Sequence, residues 1–441
     1  MNKKSNYLKL STLFFSLLLA VVFSLAIPNT SEAASPGSVT NVKQIYGSYY
    51  SSINDYLIAV QFNRVSGASY YMAEISTDNV NWEWVDAVYK TSNTSTETFY
   101  IRNEALKETR ATLKAGSVYY VRITAIDSAY NYSTSAPLQV VTAPATVSGT
   151  NKIIQTACKS NSLTASWSSI PGATGYQVYV KKFGDTDYSY VGDTKSTSFN
   201  VTKYKNKKLS SDSIYYVGIL PTKTSNAGFT AICNQRSNGY GLCTLPSTTK
   251  KIIANDWKPG TSKLSISWTK SSVATGYELQ FYNAKGKSLK KATVKNSAYG
   301  TPSYTLAKAP KYSFCSVKIR PYVKSSTGKK FTSSWSKKTY FVSQSSIKKD
   351  FSLTDGKLSI KWNKVKGASK YLIYAGTSSK NMKKVATVSS KKTSYTITKV
   401  GGSTVSKHTK YFVKVVPQKK VSKKTYKGDY GWYTTLRVVY Y

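Results

Sequence analysis

Side chains able to carry acid–base, nucleophilic or metal chemistry are scarce in this 441-residue chain. There is one histidine, His408. A lone histidine reads as a surface residue rather than a base. Carboxylates gather only around Glu83, Asp86, Glu97 and Glu104. Two of them, suitably spaced, could protonate and attack a glycosidic bond. They share no motif, however, and read as solvated surface groups. The four cysteines, Cys158, Cys233, Cys243 and Cys315, lack the C-x-x-C spacing of a zinc site. Neither a P-loop nor a G-x-S-x-G element is present. The expectation is a protein that is not an enzyme, with no catalytic residues, metal or cofactor. Lysine is what the sequence has in excess. Lys+Arg number 63 against 19 Asp+Glu, a formal charge of +44. Pairs recur at Lys290-Lys291, Lys383-Lys384, Lys419-Lys420 and Lys423-Lys424. Such a surface attracts polyanions through a field that salt screens.

What positions these side chains is an internal repeat. Four segments align: "IAVQFNRVSGASYYMAEI", "LTASWSSIPGATGYQVYV", "LSISWTKSSVATGYELQF" and "LSIKWNKVKGASKYLIYA". In each, an aliphatic residue stands four before an aromatic: Ile58 and Phe62, Leu163 and Trp167, Leu264 and Trp268, Leu358 and Trp362. A tyrosine follows each aromatic by nine: Tyr71, Tyr176, Tyr277 and Tyr371. Apolar residues alternate with polar ones, which is the pattern of a strand buried on one face. The Gly-containing stretch between the two strands suits a turn.

A second segment recurs downstream: "LKAGSVYYVRITA", "LSSDSIYYVGILP", "APKYSFCSVKIRP" and "VSKHTKYFVKVVP". Its alternating runs begin at Tyr119, Tyr215, Cys315 and Tyr411. This resembles the L-x-P-x-T-x-Y-x-V-x-V segment of fibronectin type III domains. The resemblance covers nearly all of the chain after its N-terminus. It implies an all-β architecture of tandem immunoglobulin-like, fibronectin type III β-sandwiches. In these, Tyr119, Tyr215 and Tyr411 form tyrosine corners, and Phe62, Trp167, Trp268 and Trp362 are buried with Tyr71, Tyr176, Tyr277 and Tyr371. The chain departs from the family in four ways. The segment's proline is missing in every copy. Cys315 replaces a corner tyrosine, Phe62 replaces a tryptophan, and "NEALKETRATL" is inserted in the first copy.

The repeat sets expected boundaries at 36–145, 146–246, 247–344 and 345–441 for modules one to four. Residues 1–33 read as a Sec signal peptide. Lys3, Lys4 and Lys9 precede an apolar run from Leu10 to Ile27, and Ser31-Glu32-Ala33 forms a small-residue cleavage site. A membrane anchor is the alternative. A secreted, extracellular monomer is expected, loosely associated with a cell wall and without a transmembrane segment after cleavage. Its make-up looks like that of a secreted Gram-positive bacterial protein.

Aligning modules two and three sets "KIIQTAC" against "KIIANDW" and "FTAIC" against "FTSSW". Cys158 and Cys233 thus stand where module three has Trp257 and Trp335. Two aromatics exchanged for two cysteines suggest touching positions, hence a Cys158–Cys233 disulfide, which an exported protein allows. Cys233–Cys243 is the rival pairing. Cys315 is expected as a buried free thiol.

The charge is uneven. Module one has 8 Lys+Arg against 9 Asp+Glu, module two 11 against 4, module three 19 against 2, and module four 22 against 3. Lysines on sheet edges also block edge-to-edge aggregation, but that role does not explain why module one lacks them. The gradient suggests that Lys290, Lys291, Lys383, Lys384, Lys419, Lys420, Lys423 and Lys424 contribute to holding an anionic cell-wall or extracellular polysaccharide. A protein partner is expected at module one. Sequence-specific nucleic-acid binding is not expected, because base reading leans on arginine. The alternatives are a structural adhesion spacer and sugar binding through exposed aromatics, among them Trp82, Trp84, Tyr426, Tyr430, Trp432 and Tyr433.

Overall fold

The computed structural model describes residues 35–50, 55–89, 94–106, 112–147, 152–431 and 434–436. The expected signal peptide, Trp432 and Tyr433 lie outside these. Every regular element among the described residues is a β-strand. In the first module Lys43–Tyr50, Asp55–Asn63 and Thr96–Arg102 form one antiparallel sheet in that order. The facing sheet runs Glu83–Tyr89, Tyr70–Ser76, Val118–Ile126. Two short pieces, Tyr132–Thr134 and Leu138–Val141, both pair with Val118–Ile126. The same order recurs around the central pairs Gly175–Lys182 with Ile214–Thr224, Gly276–Asn283 with Phe314–Lys324, and Lys370–Gly376 with Tyr411–Val421. A three-stranded sheet facing a larger one in this order makes the chain a tandem of fibronectin type III and immunoglobulin-like β-sandwiches.

The chain forms two compact units. One comprises Met1–Pro144 with Lys223–Cys233, the other Ala145–Thr222 with Asn234–Tyr441. In the first unit, the excursion Lys223–Cys233 is tied to module-one residues. Ser48 Oγ donates to the Ile232 carbonyl at 2.6 Å, and Phe229 and Ala231 pack with Val141 and Ala143.

Period-two alternation builds each core. Along Val118–Ile126, Tyr119, Val121, Ile123 and Ala125 are buried while the residues between them are only partly so. The repeated aromatic and tyrosine meet edge-on between the two sheets. Their ring centroids lie 4.9 Å apart for Phe62–Tyr71, 5.2 Å for Trp167–Tyr176, 5.3 Å for Trp268–Tyr277 and 5.4 Å for Trp362–Tyr371. Each tyrosine oxygen also accepts a backbone N–H from six residues earlier, at 2.8–3.0 Å: Val65, Ile170, Ser271 and Val365. Four buried amides that face no strand are thereby satisfied.

The corner tyrosines act likewise. Tyr119 Oη accepts from Lys114 N at 2.7 Å, Tyr215 Oη from Ser210 N at 2.9 Å and Tyr411 Oη from Ser406 N at 2.9 Å. The residue six before each corner position is buried: Leu113, Leu209, Ala309 and Val405. In module three, Cys315 cannot fill a tyrosine's volume. That core instead holds Trp257, fully buried, whose indole N–H donates to the Thr261 carbonyl at 3.2 Å.

A serine breaks the last strand in three modules. Ser135, Ser237 and Ser336 each donate N–H to the carbonyl of Ile123, Ile219 or Ile319, while their Oγ accepts that isoleucine's N–H. Both orphan groups of the central strand are satisfied at the break.

Within the second unit, side chains cross the expected boundaries. Phe314 packs into the fourth core, and Tyr430 into the third, where its hydroxyl donates to the Val342 carbonyl at 2.9 Å. Gly367 has φ of +81°, and a Cβ there would fall 2.4 Å from the Phe314 ring. Glycine is required on both counts. Between modules two and three, Ser271 Oγ donates to Asp212 at 2.5 Å and Ser333 Oγ to the Pro246 carbonyl at 2.7 Å.

Tyr215→Phe keeps the ring and strands the Ser210 amide. The expected loss is about 1–3 kcal/mol of stability, read as a lower midpoint in urea denaturation. An unchanged midpoint would remove the corner hydrogen bond from the account.

Candidate functional site

The lysines occupy equivalent places on successive modules. Lys290 and Lys291 lie on Ser288–Lys295, and Lys383 and Lys384 on Lys383–Ser389. Each of these is the outermost strand of its larger sheet. The corresponding strand of module one, Glu83–Tyr89, carries Glu83 and Asp86, and that of module two carries Asp193. At this one structural position the charge follows the gradient. Lys419, Lys420, Lys423 and Lys424 belong to the hairpin of Tyr411–Val421 and Lys424–Lys427, on the opposite side of the fourth module's sheet from Lys383–Ser389. The structure does not gather the eight lysines into one pocket.

Their surroundings leave them uncompensated. In residues 247–441, Glu278 is paired with Arg320 at 2.6 Å and with Lys330, Asp350 with Lys361 at 3.0 Å, Asp355 with Lys407 at 3.6 Å and Asp429 with Lys414 at 3.0 Å. These partners hold the Glu278, Asp350 and Asp355 carboxyls below the usual carboxylate range. Among the described residues, none of the eight lysines takes part in an ion pair. Lys419 lies 4.6 Å from the centre of the Phe314 ring and Lys424 5.2 Å from that of Tyr426.

Register also shows the second role of the edge lysines. Lys290 stands opposite Phe281 and Lys383 opposite Ala375, both buried core residues. A charge on the core-facing side of an edge strand opposes pairing with another sheet.

The aromatics are distributed differently. Tyr426 packs on Tyr340, and Tyr430 is partly buried against the third core, with its hydroxyl pKa raised by desolvation. Neither contributes to an open patch. Trp82 lies under Arg122, whose guanidinium carbon is 4.4 Å from the ring centre and which is paired with Glu74. Trp84 is 53% exposed. Sequence reasoning missed a row across the outer face of module one. Tyr89, Tyr70, Ile126 and Tyr132 stand side by side on four neighbouring strands. The rings of Tyr70 and Tyr89 are 5.6 Å apart. Tyr130, with φ of +66°, stands in a turn where Asp127 Oδ1 accepts from Ala129 N and Asn131 N. Tyr89, Tyr130 and Tyr132 are 68%, 71% and 61% exposed. The signal was present as a Tyr at Asn131's neighbouring positions and at the ends of two strands, but only register places them together.

The carboxylates weighed for glycoside chemistry are engaged locally. Glu97 accepts from Arg64 Nε at 2.9 Å, and Asp86 Oδ1 accepts from Ala87 N at 2.8 Å. A cleft of about 90 Å³ lies beside Asp212, Ser271 and Tyr277, well short of the usual volume of a ligand pocket.

The expected Cys158–Cys233 disulfide is not present in the structure, which joins none of the four cysteines. Cys233 falls in the other compact unit, beside Tyr56. The module-three comparison explains the misreading. Trp257 lines a core, whereas Trp335 stacks beneath Arg320, which pairs with Glu278 on the outer sheet face. Trp257 follows a strand of the smaller sheet and fills the core, whereas Trp335 covers the outer face of the larger sheet. Cys315 is buried as expected, and burial pushes its thiol up to about 12.

No protein-family model matches the sequence, and no curated protein matches it. Among solved structures, the FN1–FN3 domains of chicken CNTN1 are similar over 70% of this chain and 99% of that one, at 16% identity and a TM-score of 0.26. The fold assignment stands on strand order and register instead. No helix among the described residues is long and apolar enough to cross a membrane.

Replacing both Lys290 and Lys383 by Val barely alters the net charge but opens two sheet edges. Concentration-dependent self-association is expected in static light scattering. A variant as monodisperse as the parent would leave these lysines without an edge-blocking role.

Proposed function

We propose that this is a secreted, non-catalytic binding and spacer protein whose basic modules, residues 247–441, hold an anionic cell-surface polymer. The observation that carries the reading is how few acids face so many lysines. Four of the five acids of residues 247–441, Glu278, Asp350, Asp355 and Asp429, already have cationic partners, so the great majority of the lysines are surplus charge. Surplus charge of one sign is neutralised by counterions or by a polyanion, and release of those counterions favours the polymer. Lysine is a strongly hydrated point charge and suits a flexible, sequence-poor polyanion such as a phosphate-bearing or acidic polysaccharide. Arg320 and Arg437 are the arginines of this region, too few for base-edge readout.

The test uses the full chain and a variant with Lys290, Lys291, Lys383, Lys384, Lys419, Lys420, Lys423 and Lys424 changed to Gln. Both are pelleted with purified Gram-positive cell walls across a salt series. The parent's apparent affinity should fall about tenfold or more between about 50 and 500 mM salt, and the variant should bind more weakly throughout. Salt-insensitive binding, or a variant equal to the parent, would sink the proposal.

The tyrosine row on module one supports a second reading, stacking of a neutral sugar chain. The row spans four strands, roughly 14 Å at the usual strand spacing, and aromatic faces offer flat apolar contact with polar hydroxyls at the rim. Tyr89→Ala with Tyr132→Ala should abolish retention on a neutral polysaccharide in affinity electrophoresis while leaving wall binding intact. Unchanged retention rules this second reading out.

A further inference from the structure

Module two brings two cysteines to the seam where its first and last strands meet. Cys158 ends Ile154–Cys158, and Cys243 ends Tyr240–Cys243. A glutamine clasps the seam. Gln155 Nε2 donates to the Cys243 carbonyl at 2.6 Å, and its Oε1 accepts from Cys243 N at 3.2 Å. Module one has the same clasp, from Gln44 to the Val141 carbonyl at 2.6 Å and from Val141 N at 2.9 Å. The seam is therefore held without the thiols, and its closeness belongs to the fold. In module one the residue three after the clasping glutamine is Gly47, and a Cβ there would fall 2.4 Å from the Val141 carbonyl. In module two that place is Cys158. Its Sγ lies 3.1 Å from the Cys243 carbonyl oxygen, and the Cys243 thiol reaches toward Gln155 Oε1 at 3.7 Å.

We propose that Cys158 and Cys243 are a redox pair that closes to a disulfide, pinning the first strand of module two to its last. Bridging needs neighbouring backbones with the two side chains turned toward each other; the clasp supplies the first, and the approach of the Cys158 sulfur to the Cys243 backbone brings it to its partner's residue. The residues are 85 apart in sequence, so the bridge closes a long loop and restricts the unfolded chain strongly. Cys243 is the more accessible thiol. The neighbouring Cys158 thiol holds it below the ordinary thiol range, whereas the same pairing pushes Cys158 up. Cys243 thiolate attacks an external disulfide, that of glutathione or of a thiol oxidoreductase, and expels one thiolate. Cys158, giving up its proton, then attacks the Cys243 sulfur and expels the second. Two protons pass to the departing thiolates and two electrons reduce the external disulfide. Cys233 sits in the other compact unit, and Cys315 is enclosed in the third core.

The inference draws on the proposed secretion only for an oxidising exterior, and its test does not depend on compartment. The reduced full chain is incubated with glutathione disulfide, free thiols are blocked with N-ethylmaleimide, and the unreduced digest is mapped by mass spectrometry. The expected product joins the Cys158 and Cys243 peptides at about 2 Da below their summed mass. It should persist in Cys233→Ser and vanish in Cys243→Ser. A bridge to Cys233, a lasting glutathione adduct on Cys243, or alkylation of both Cys158 and Cys243 after oxidation would overturn the proposal. Because the parent alone yields these readings, poor folding of a variant leaves the test intact.

Discussion

Each sandwich is organised around the contact between one aromatic ring and one tyrosine nine residues later. The ring belongs to the end of a strand in one sheet, and the tyrosine to the neighbouring strand of the other. Bringing them edge-on sets the distance between sheets, and aromatic pairs of this geometry contribute about 0.5–1.5 kcal/mol beyond their burial. The tyrosine hydroxyl then satisfies a backbone amide in the connection between the two strands. Apolar packing and backbone satisfaction thus depend on one side chain. Trp167, Trp268 and Trp362 carry buried indole N–H groups with no acceptor among the described residues, a cost the ring's volume has to outweigh. Phe62, with no such donor, fills the same place in module one.

Because the interior is self-sufficient, the surface is free to differ from module to module. The outermost strand of the larger sheet shows this most clearly. It is acidic at Glu83 and Asp86, and lysine-rich at Lys290, Lys291 and Lys295, with no change in its pairing. Burial constrains alternate positions of a central strand, but an edge strand has only one neighbour to satisfy. The exposed tyrosines of module one and the lysines of modules three and four are therefore independent decorations of one scaffold. A single fold can carry an apolar platform at one position and a cationic one at another.

Spacing made the sandwich readable in the sequence. Period two, the four-residue and nine-residue intervals and the corner segment are all local, and local intervals survive without knowledge of the fold. What spacing could not convey is which face a residue serves. Trp257 and Trp335 align with two cysteines, yet one enters a core and the other covers Arg320. Alignment of repeats reports equivalent places, whereas contact depends on the sheet that each place belongs to. The true neighbour of Cys158 emerged only from the glutamine clasp, which joins residues 88 apart. The tyrosine row was hidden for the same reason, since its members are adjacent only through cross-strand register. Tyr426 and Tyr430 read as candidate surface aromatics because their partners, Tyr340 and the third core, lie in the preceding module.

That exchange of side chains bears on how charge can act. Phe314 completes the fourth core and Tyr430 the third, so the joint between these modules is apolar packing rather than a flexible tether. Gly367 admits the Phe314 ring at a place where a side chain could not stand. Joints of this kind transmit geometry, because close-packed interiors resist deformation. The edge lysines of modules three and four are consequently held in fixed relation within one compact unit. Charges on separate, freely jointed domains would have to be ordered when a polymer binds, at an entropic cost for each joint. In the proposed binding of a polymer, packing at the joint meets that cost during folding, so the lysines of the two modules stand in place before the polymer arrives.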